Sequence, residues 1–401
     1  MKKDIVFLSG ARTPMAEYSG TPGGGKLKDM TAVQLGAAAG SEALKRSKID
    51  PDLIGHVVMG NANQAGNDAL YGARDVALRI NELPLETPAL TLNRICGSGA
   101  QAIVTGAHHL MVGEAEAVIS GGFESMSQTP YAIRGIRGNA PKFGPGVMLE
   151  DILFASLQHP YINMFMAQTA EKLARMYGIT REQCDQFAYE SQTKASEAIK
   201  AGKFDAEKIA IEVPAGRGKT AEVWEDDHNR ADTKLESLAK LRPAFGRNGL
   251  VTAGNASGIV DGAAAVVITT CEVAEREGLN VWARLIDWHV AAVDPTIMGY
   301  GPVPAVQKLL EKTGLTVDDI DVMELNEAFA PQALPVIQEL GIDPAKVNPN
   351  GGAIALGHPL GATGCILTNK LIYDLHSRGG GKGISTMCIG GGQGIALLVE
   401  V

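Results

Sequence analysis

The chain reads as an α/β protein of two similar halves, the first of which carries a more helical insertion. Three observations predict this. Short apolar runs alternate with helical patterns in the first and last thirds, as strands joined by crossover helices do. Each of those thirds contains an apolar strand ending in cysteine and glycines, TLNRICGSG and STMCIGGG. Each also contains a helix of small, uncharged residues, which must be buried on nearly all sides. The alternation predicts a mainly parallel sheet, with the two halves packed face to face.

The elements follow in order. Residues 5–8 form a buried strand leading into the turn Ser9-Gly10. Thr31-Ala-Val-Gln34 has the form of a capping box and opens a helix to about Ser47. A strand at 56–59, a helix near 69–80 and a strand at 89–92 come next. The uncharged helix 97–112 and a strand at 117–120, ending at Gly121-Gly122, complete this region. From about 126 to 247 the texture turns polar, with helices at 167–177 and 181–201, the second opened by the capping box Thr180-Arg-Glu-Gln183. Strands then return at 261–268, 283–287, 322–325, 383–387 and 395–399, with helices between them, one being the second uncharged helix at 361–369. The predicted division is 1–126 with 248–275 as the first half, 127–247 as the insertion and 276–401 as the second half.

Charge narrows the function. With 36 Lys and Arg against 45 Asp and Glu, the net charge of −9 argues against nucleic-acid binding, which relies on excess cations. No apolar stretch of about 18 residues predicts a membrane span, and the short apolar run near the start does not suit a signal peptide. The five cysteines are odd in number and none is spaced C-x-x-C. Free thiols, no metal ligand set and a cytoplasmic protein are expected.

Four stretches carry chemistry. Cys96 stands at a strand-to-helix junction, where the first helical N–H groups and the dipole favour a thiolate. Taken alone it could be a small core residue. His358, between Gly357 and Pro359 at the mouth of an uncharged helix, could take a thiol proton. Cys388 precedes a glycine run in which the Gly390 N–H could face an oxyanion. Asn326 opens NEAFA after a strand, where its local reading is a helix N-cap. No phosphate-binding glycine motif is present, so nucleotide hydrolysis and dinucleotide binding are set aside.

Together these strings resemble the thiolase family: CGSG at 96–99, NEAFA at 326–330, GGAIALGHPLGATG at 351–364 and CIGGGQG at 388–394, in that order. The resemblance spans the chain, through GGFESMS at 121–127, MAQTAEKLA at 166–174, RPAF at 242–245, VTAGNASG at 251–258, DGAAA at 261–265 and MGYGPVPA at 298–305. It implies a thiolase fold, two βαβαβαββ halves in five αβαβα layers, with the active site where the two central helices start. Cys96 would be the nucleophile that is acylated, His358 its activator, and Cys388 the acid/base acting on the substrate α-carbon. His358 with a water held by Asn326 would form one oxyanion hole, and the N–H groups of Cys96 and Gly390 the other.

The same resemblance implies acetyl-CoA and 3-ketoacyl-CoA as substrates, with no bound cofactor. Arg230 and Ser237 would meet the adenosine end of CoA, and Ala253 and Ser257 the pantetheine. Met166, Phe245, Met298 and Phe329 would line the channel, though such residues serve equally as core. Relatives are dimers or tetramers, and a basic loop with Arg134, Arg137 and Lys142 matches the tetramer-forming segment, so a homotetramer is expected. Phe165, Val260 and Thr363 depart from the common residues His, Asn and Ser. The chain most resembles the mitochondrial 3-ketoacyl type. Two rivals remain: a decarboxylating condensing enzyme, which uses a Cys-His-His set, and a non-catalytic acyl-CoA-binding protein of the same fold.

Overall fold

Apolar residues on successive positions of the first strand are all buried, so both faces of the sheet must be covered. The computed structural model describes residues 3–64, 66–138 and 146–401; Lys142 of the basic loop lies outside them. The first half runs β1 (Ile5–Arg12), α1 (Ala32–Ser47), β2 (Ile54–Gly60), α2 (Gly72–Arg79), β3 (Ala89–Leu92), α3 (Ser98–Val112) and β4 (Ala117–Glu124). A long excursion with α4 (Met166–Met176) and α5 (Arg181–Lys200) precedes its last strand, β5 (Val260–Thr270). The second half runs β6 (Ala283–Ala292), α6 (Pro302–Thr313), β7 (Val322–Leu325), α7 (Ala330–Leu340), α8 (Thr363–Arg378), β8 (Lys382–Ile389) and β9 (Gln393–Glu400). Both capping boxes are formed, at Thr31 and at Thr180.

Among the described residues the main sheet is ten-stranded, in the order β7-β8-β9-β6-β1-β5-β4-β2-β3, with the short strand Ala16–Glu17 beside β5. It is mixed, which corrects the expectation of a mainly parallel sheet. β2 pairs in parallel with β3 and β4, and β7 with β8. All other neighbours are antiparallel. The reason is topological. β5 returns between β1 and β4, and β9 turns straight back from β8 to lie beside β6, with no crossover helix to reverse either one.

The halves repeat one order. The first reads β1-β5-β4-β2-β3 and the second β6-β9-β8-β7, where an isolated parallel bridge, Met323 to Val347, stands in the place of the outermost strand. They join antiparallel through β1 and β6, from Ile5 opposite Leu285 to Phe7 opposite Ala283. Side-chain alternation then sorts the core. Val6, Ala263, Ala265 and Val267 pack under α1 and α2. Phe7, Ala264, Val266, Ile395 and Leu397 meet α3 and α8 in the middle. Ala396 and Leu398 pack under α6 and α7. Five layers, αβαβα, result.

Two glycines bring the central helices together. A Cβ on Gly364 would collide with the backbone of Ala100, and one on Gly99 with the backbone of Cys365. The first turns of α3 and α8 therefore touch, and the loops leading into them share one place. Gly121 and Gly122, expected to end a strand, instead continue β4 to Glu124. A Cβ there would strike the carbonyl oxygens of Ala264 and Gly361, so the strand needs glycine for close approach rather than for turning. The excursion is tied down by Arg12, fully buried in β1, which pairs with Asp226 at 2.7 Å and Glu207 at 2.8 Å.

Candidate active site

Cys96 sits in a 3-10 turn, Ile95–Gly97, between β3 and α3. Ile95 is held at φ +47°, a left-handed conformation that costs a non-glycine residue about 1–2 kcal/mol. Neighbours hold that turn. Asn93 Oδ1 accepts from the Ile95 N–H at 2.7 Å, while Ser98 Oγ accepts from the Arg94 N–H at 2.9 Å and donates to the Ile95 carbonyl at 2.7 Å. The sulfur is thereby presented to a cavity of about 530 Å³.

His358 enters the same cavity from the turn before α8, which Gly357 makes possible at φ +100°. Its Nδ1 lies 2.6 Å from Thr363 Oγ1. The Thr363 hydroxyl already donates to the Pro359 carbonyl at 3.0 Å, so the proton of the contact belongs to Nδ1. Nε2 then keeps its lone pair, toward which the Asn326 amide points at 3.3 Å. Thr363, noted from sequence only as a departure, is what fixes the histidine's tautomer.

Asn326 is not the N-cap that its local pattern suggested; the cap of α7 is Phe329. It stands fully buried behind His358, off the cavity wall, and its Oδ1 has no protein partner. The adjacent Glu327 anchors this loop by accepting from Ser191 Oγ at 2.6 Å, Asn348 Nδ2 at 2.8 Å and the Ile354 N–H at 3.2 Å. Cys388 is the buried penultimate residue of β8 and lines the cavity together with Gly390. The two thiols, from opposite ends of the chain, thus face one space.

Burial governs the electrostatics. It pushes the Cys96 thiol up to about 11, opposed by the nearby N–H groups of Gly390 and of Cys96 itself; the charge of Glu124 adds to the rise. The helical N–H groups favour the thiolate as expected, but desolvation works against them and is the larger effect. Burial likewise brings His358 down to about 4. Burial thus favours the uncharged thiol and imidazole over an ion pair. Cys388 is raised well above the ordinary thiol, first by burial and then by any charge on Cys96. Glu124 is pushed up to about 7 by burial, although it accepts from Gly361, Asn63, Ala62 and Asn61. Those bonds tie β4 to the turn that carries His358.

The remaining expectations divide. Met166, Ser257, Met298 and Phe329 line the cavity. Arg230, Ser237, Ala253 and Phe245 do not: Arg230 pairs with Glu17 at 2.9 Å, Ser237 and Ala253 are on the surface, and Phe245 packs on Phe165 at 5.2 Å. Sequence reasoning missed the wall formed by Leu153 and by residues 155–160. Its helix, Ile152–Ser156, and its strand, Gln158–His159, are too short to carry a periodic signal. Cys184 and Cys365 are buried core, and Cys271 lies at the start of a short helix.

Family models described as thiolase, N-terminal domain, and thiolase, C-terminal domain, match residues 5–272 and 279–401. The chain is 46% identical over 399 residues to the mitochondrial 3-ketoacyl-CoA thiolase of Homo sapiens, covering 99% of this chain and 98% of that one. It is 44% identical to the acetyl-CoA acetyltransferase of Allochromatium vinosum, over 100% of both chains. A solved structure of the human mitochondrial 3-ketoacyl-CoA thiolase in complex with CoA superposes with a TM-score of 0.94, at 46% identity, covering 99% of this chain and 98% of that one.

Proposed function

This chain belongs to the thiolase family and is an acyltransferase with thiolase activity; from that premise we propose how its own residues divide the reaction. The observation that carries the proposal is that Cys96, His358, Cys388 and Gly390 line one cavity. His358 Nε2 takes the Cys96 proton as the sulfur attacks the thioester carbon of acetyl-CoA. The tetrahedral oxygen is held by the N–H groups of Cys96 and Gly390, each such donor contributing roughly 3–4 kcal/mol. CoA leaves with the proton of Cys388. Acetyl-Cys96, a Cys388 thiolate and a His358 imidazolium remain.

The Cys388 thiolate then removes a proton from the α-carbon of a second acetyl-CoA, whose enolate oxygen is met by His358, itself oriented by Asn326. The carbanion attacks acetyl-Cys96, and the expelled Cys96 sulfur regains its proton from His358. All three groups return to their starting states, and the reverse sequence cleaves 3-ketoacyl-CoA. A raised Cys388 pKa suits proton exchange with a weakly acidic C–H. The decarboxylating rival needs a second histidine where Asn326 stands.

Acetyl-CoA is expected to add one acetyl group to Cys96, detected by peptide mass spectrometry. Cys388→Ala should still be acetylated there and yet lose at least about a hundredfold in acetoacetyl-CoA turnover. Labelling at another residue, or near-normal turnover without Cys388, contradicts this division of roles.

We also propose that the chain assembles as a homotetramer. β3 is an edge strand, and the exposed Leu70, Tyr71, Leu85 and Leu90 accompany it, a combination suited to isologous pairing. A second exposed apolar group, Ile133, Ile136, Met148 and Leu149, supports pairing of dimers. Sedimentation that gives a monomer at micromolar concentration would remove this proposal. Free cysteines suit a reducing compartment, and we propose the cytoplasm, to be checked by cell fractionation.

A further inference from the structure

One buried ion pair behind the site has no part in the steps above. Lys370 of α8 and Glu324 of β7 are both buried, and Lys370 Nζ donates to Glu324 Oε2 at 2.7 Å. Glu324 Oε1 has no partner among the described residues. The same ammonium donates to the Gly351 carbonyl at 2.5 Å. One turn further along α8, Asp374 Oδ1 accepts from Asn350 Nδ2 at 2.8 Å. Burial pushes Glu324 up to about 7, and Lys370 is the first of the groups that oppose it. A buried pair of this kind is weak evidence for stability, since apolar residues of similar volume often serve as well. What it does supply is a fixed register between the elements it joins.

Those elements are the ones that hold Asn326 and His358. Glu324 and Asn326 are two residues apart, so their side chains project to one side of β7 and its extension. Glu324 meets Lys370 there, and Asn326 meets His358 Nε2 at 3.3 Å. His358 is set from α8, through Thr363 at 2.6 Å. The anchors of the Asn326 loop lead instead to Ser191, Asn348 and Ile354, none of them on α8. Lys370 supplies that link. From α8 it grips β7 through Glu324 and, at Gly351, the start of the segment that ends in His358. We propose that Lys370 is a positioning residue, which through Glu324 and Gly351 holds Asn326 opposite His358 and so sets the geometry that meets the enolate oxygen. This rests on the division of roles proposed above.

Two rapid-quench rates separate this role from general support of the fold. One is acetylation of Cys96 by acetyl-CoA; the other is formation of acetoacetyl-CoA when isolated acetyl-Cys96 protein meets acetyl-CoA. The first step uses His358 as Thr363 sets it, whereas the second needs Asn326 and His358 together. Lys370→Met is expected to slow the second by about ten- to a hundredfold, as an ångström-scale misplacement does, with the first within about threefold. Glu324→Gln/Lys370→Met, which leaves neither charge buried, should show the same split and guards against a single variant that cannot fold. Glu324→Gln alone still accepts from Lys370, and both of its rates should stay within about threefold of wild type. Equal losses in both steps, an unchanged second step, a Glu324→Gln loss as large as that of Lys370→Met, or failure of both Met variants to fold overturns the proposal. Failure of the wild-type protein to acetylate Cys96 with acetyl-CoA would instead count against the acyl-transfer reading beneath it.

Discussion

At Cys96 two opposing effects meet, and their balance sets a measurable pH dependence. The part-buried sulfur is largely desolvated by the cavity wall, while two backbone N–H groups favour its charge; desolvation is the larger effect and pushes the thiol up to about 11. A thiol raised in this way loses its proton only at high pH. Its alkylation by iodoacetamide in the ligand-free protein is therefore expected to rise about tenfold per pH unit from 7 to 10. A plateau reached near pH 7 would mean that a thiolate is already present and that the burial argument is wrong. His358 holds the complementary position, neutral and with Nε2 unprotonated because Nδ1 is bound to Thr363. Thr363→Val keeps the shape and removes that oxygen. Acylation of Cys96 should fall by about ten- to a hundredfold, whereas Thr363→Ser should stay close to wild type in the same rapid-quench assay.

Elements bring these residues together by close approach, and small residues make that approach possible. α3 and α8 touch at Gly99 and Gly364, and β4 reaches the turn after His358 at Gly122. The last contact is backbone against backbone, with no flexible side chain to move aside. Gly122→Ala is thus expected to displace the Gly361 carbonyl and the His358 turn with it. The expected destabilisation is about 1–3 kcal/mol, as for an overpacked core, with acylation lost more steeply than stability. Denaturant unfolding and Cys96 acetylation, measured on the same sample, test the two parts. A stable variant with unaltered acetylation would show that β4 does not set the position of the turn.

Over the whole molecule, the excursion between β4 and β5 contributes walls to the cavity through residues 153–160, so its attachment matters for function. Arg12 supplies one fastening, as a buried cation between Asp226 and Glu207 from distant stretches of the chain. Removing one partner of a buried ionic group costs about 3–5 kcal/mol because the remaining charges stay buried. Arg12→Ala should show that loss in thermal or denaturant unfolding, and should expose the 200–230 region to protease before the strands. Loss of less than about 1 kcal/mol would place the fastening elsewhere, for instance at the Lys208 cation over the Trp224 ring.

Much of this was readable along the chain because it depends on neighbours in sequence. The capping boxes at Thr31 and Thr180, the uncharged helices, and the cysteine and histidine in their glycine-rich turns are all local patterns. They indicated the α/β class and the paired halves, and singled out candidate reacting groups, before any contact was known. What tertiary structure alone decided depends on distance through space. Strand direction within the sheet followed from where β5 and β9 return, not from the alternation of elements. Asn326 became the partner of His358 rather than a helix cap because the loop behind it is anchored by Ser191, far away in sequence. The charge states of Cys96 and His358 depend on how completely water is excluded, which no local pattern records. Free energies of desolvation belong to the assembled cavity, and for that reason the sequence could name candidate reacting groups but not their protonation.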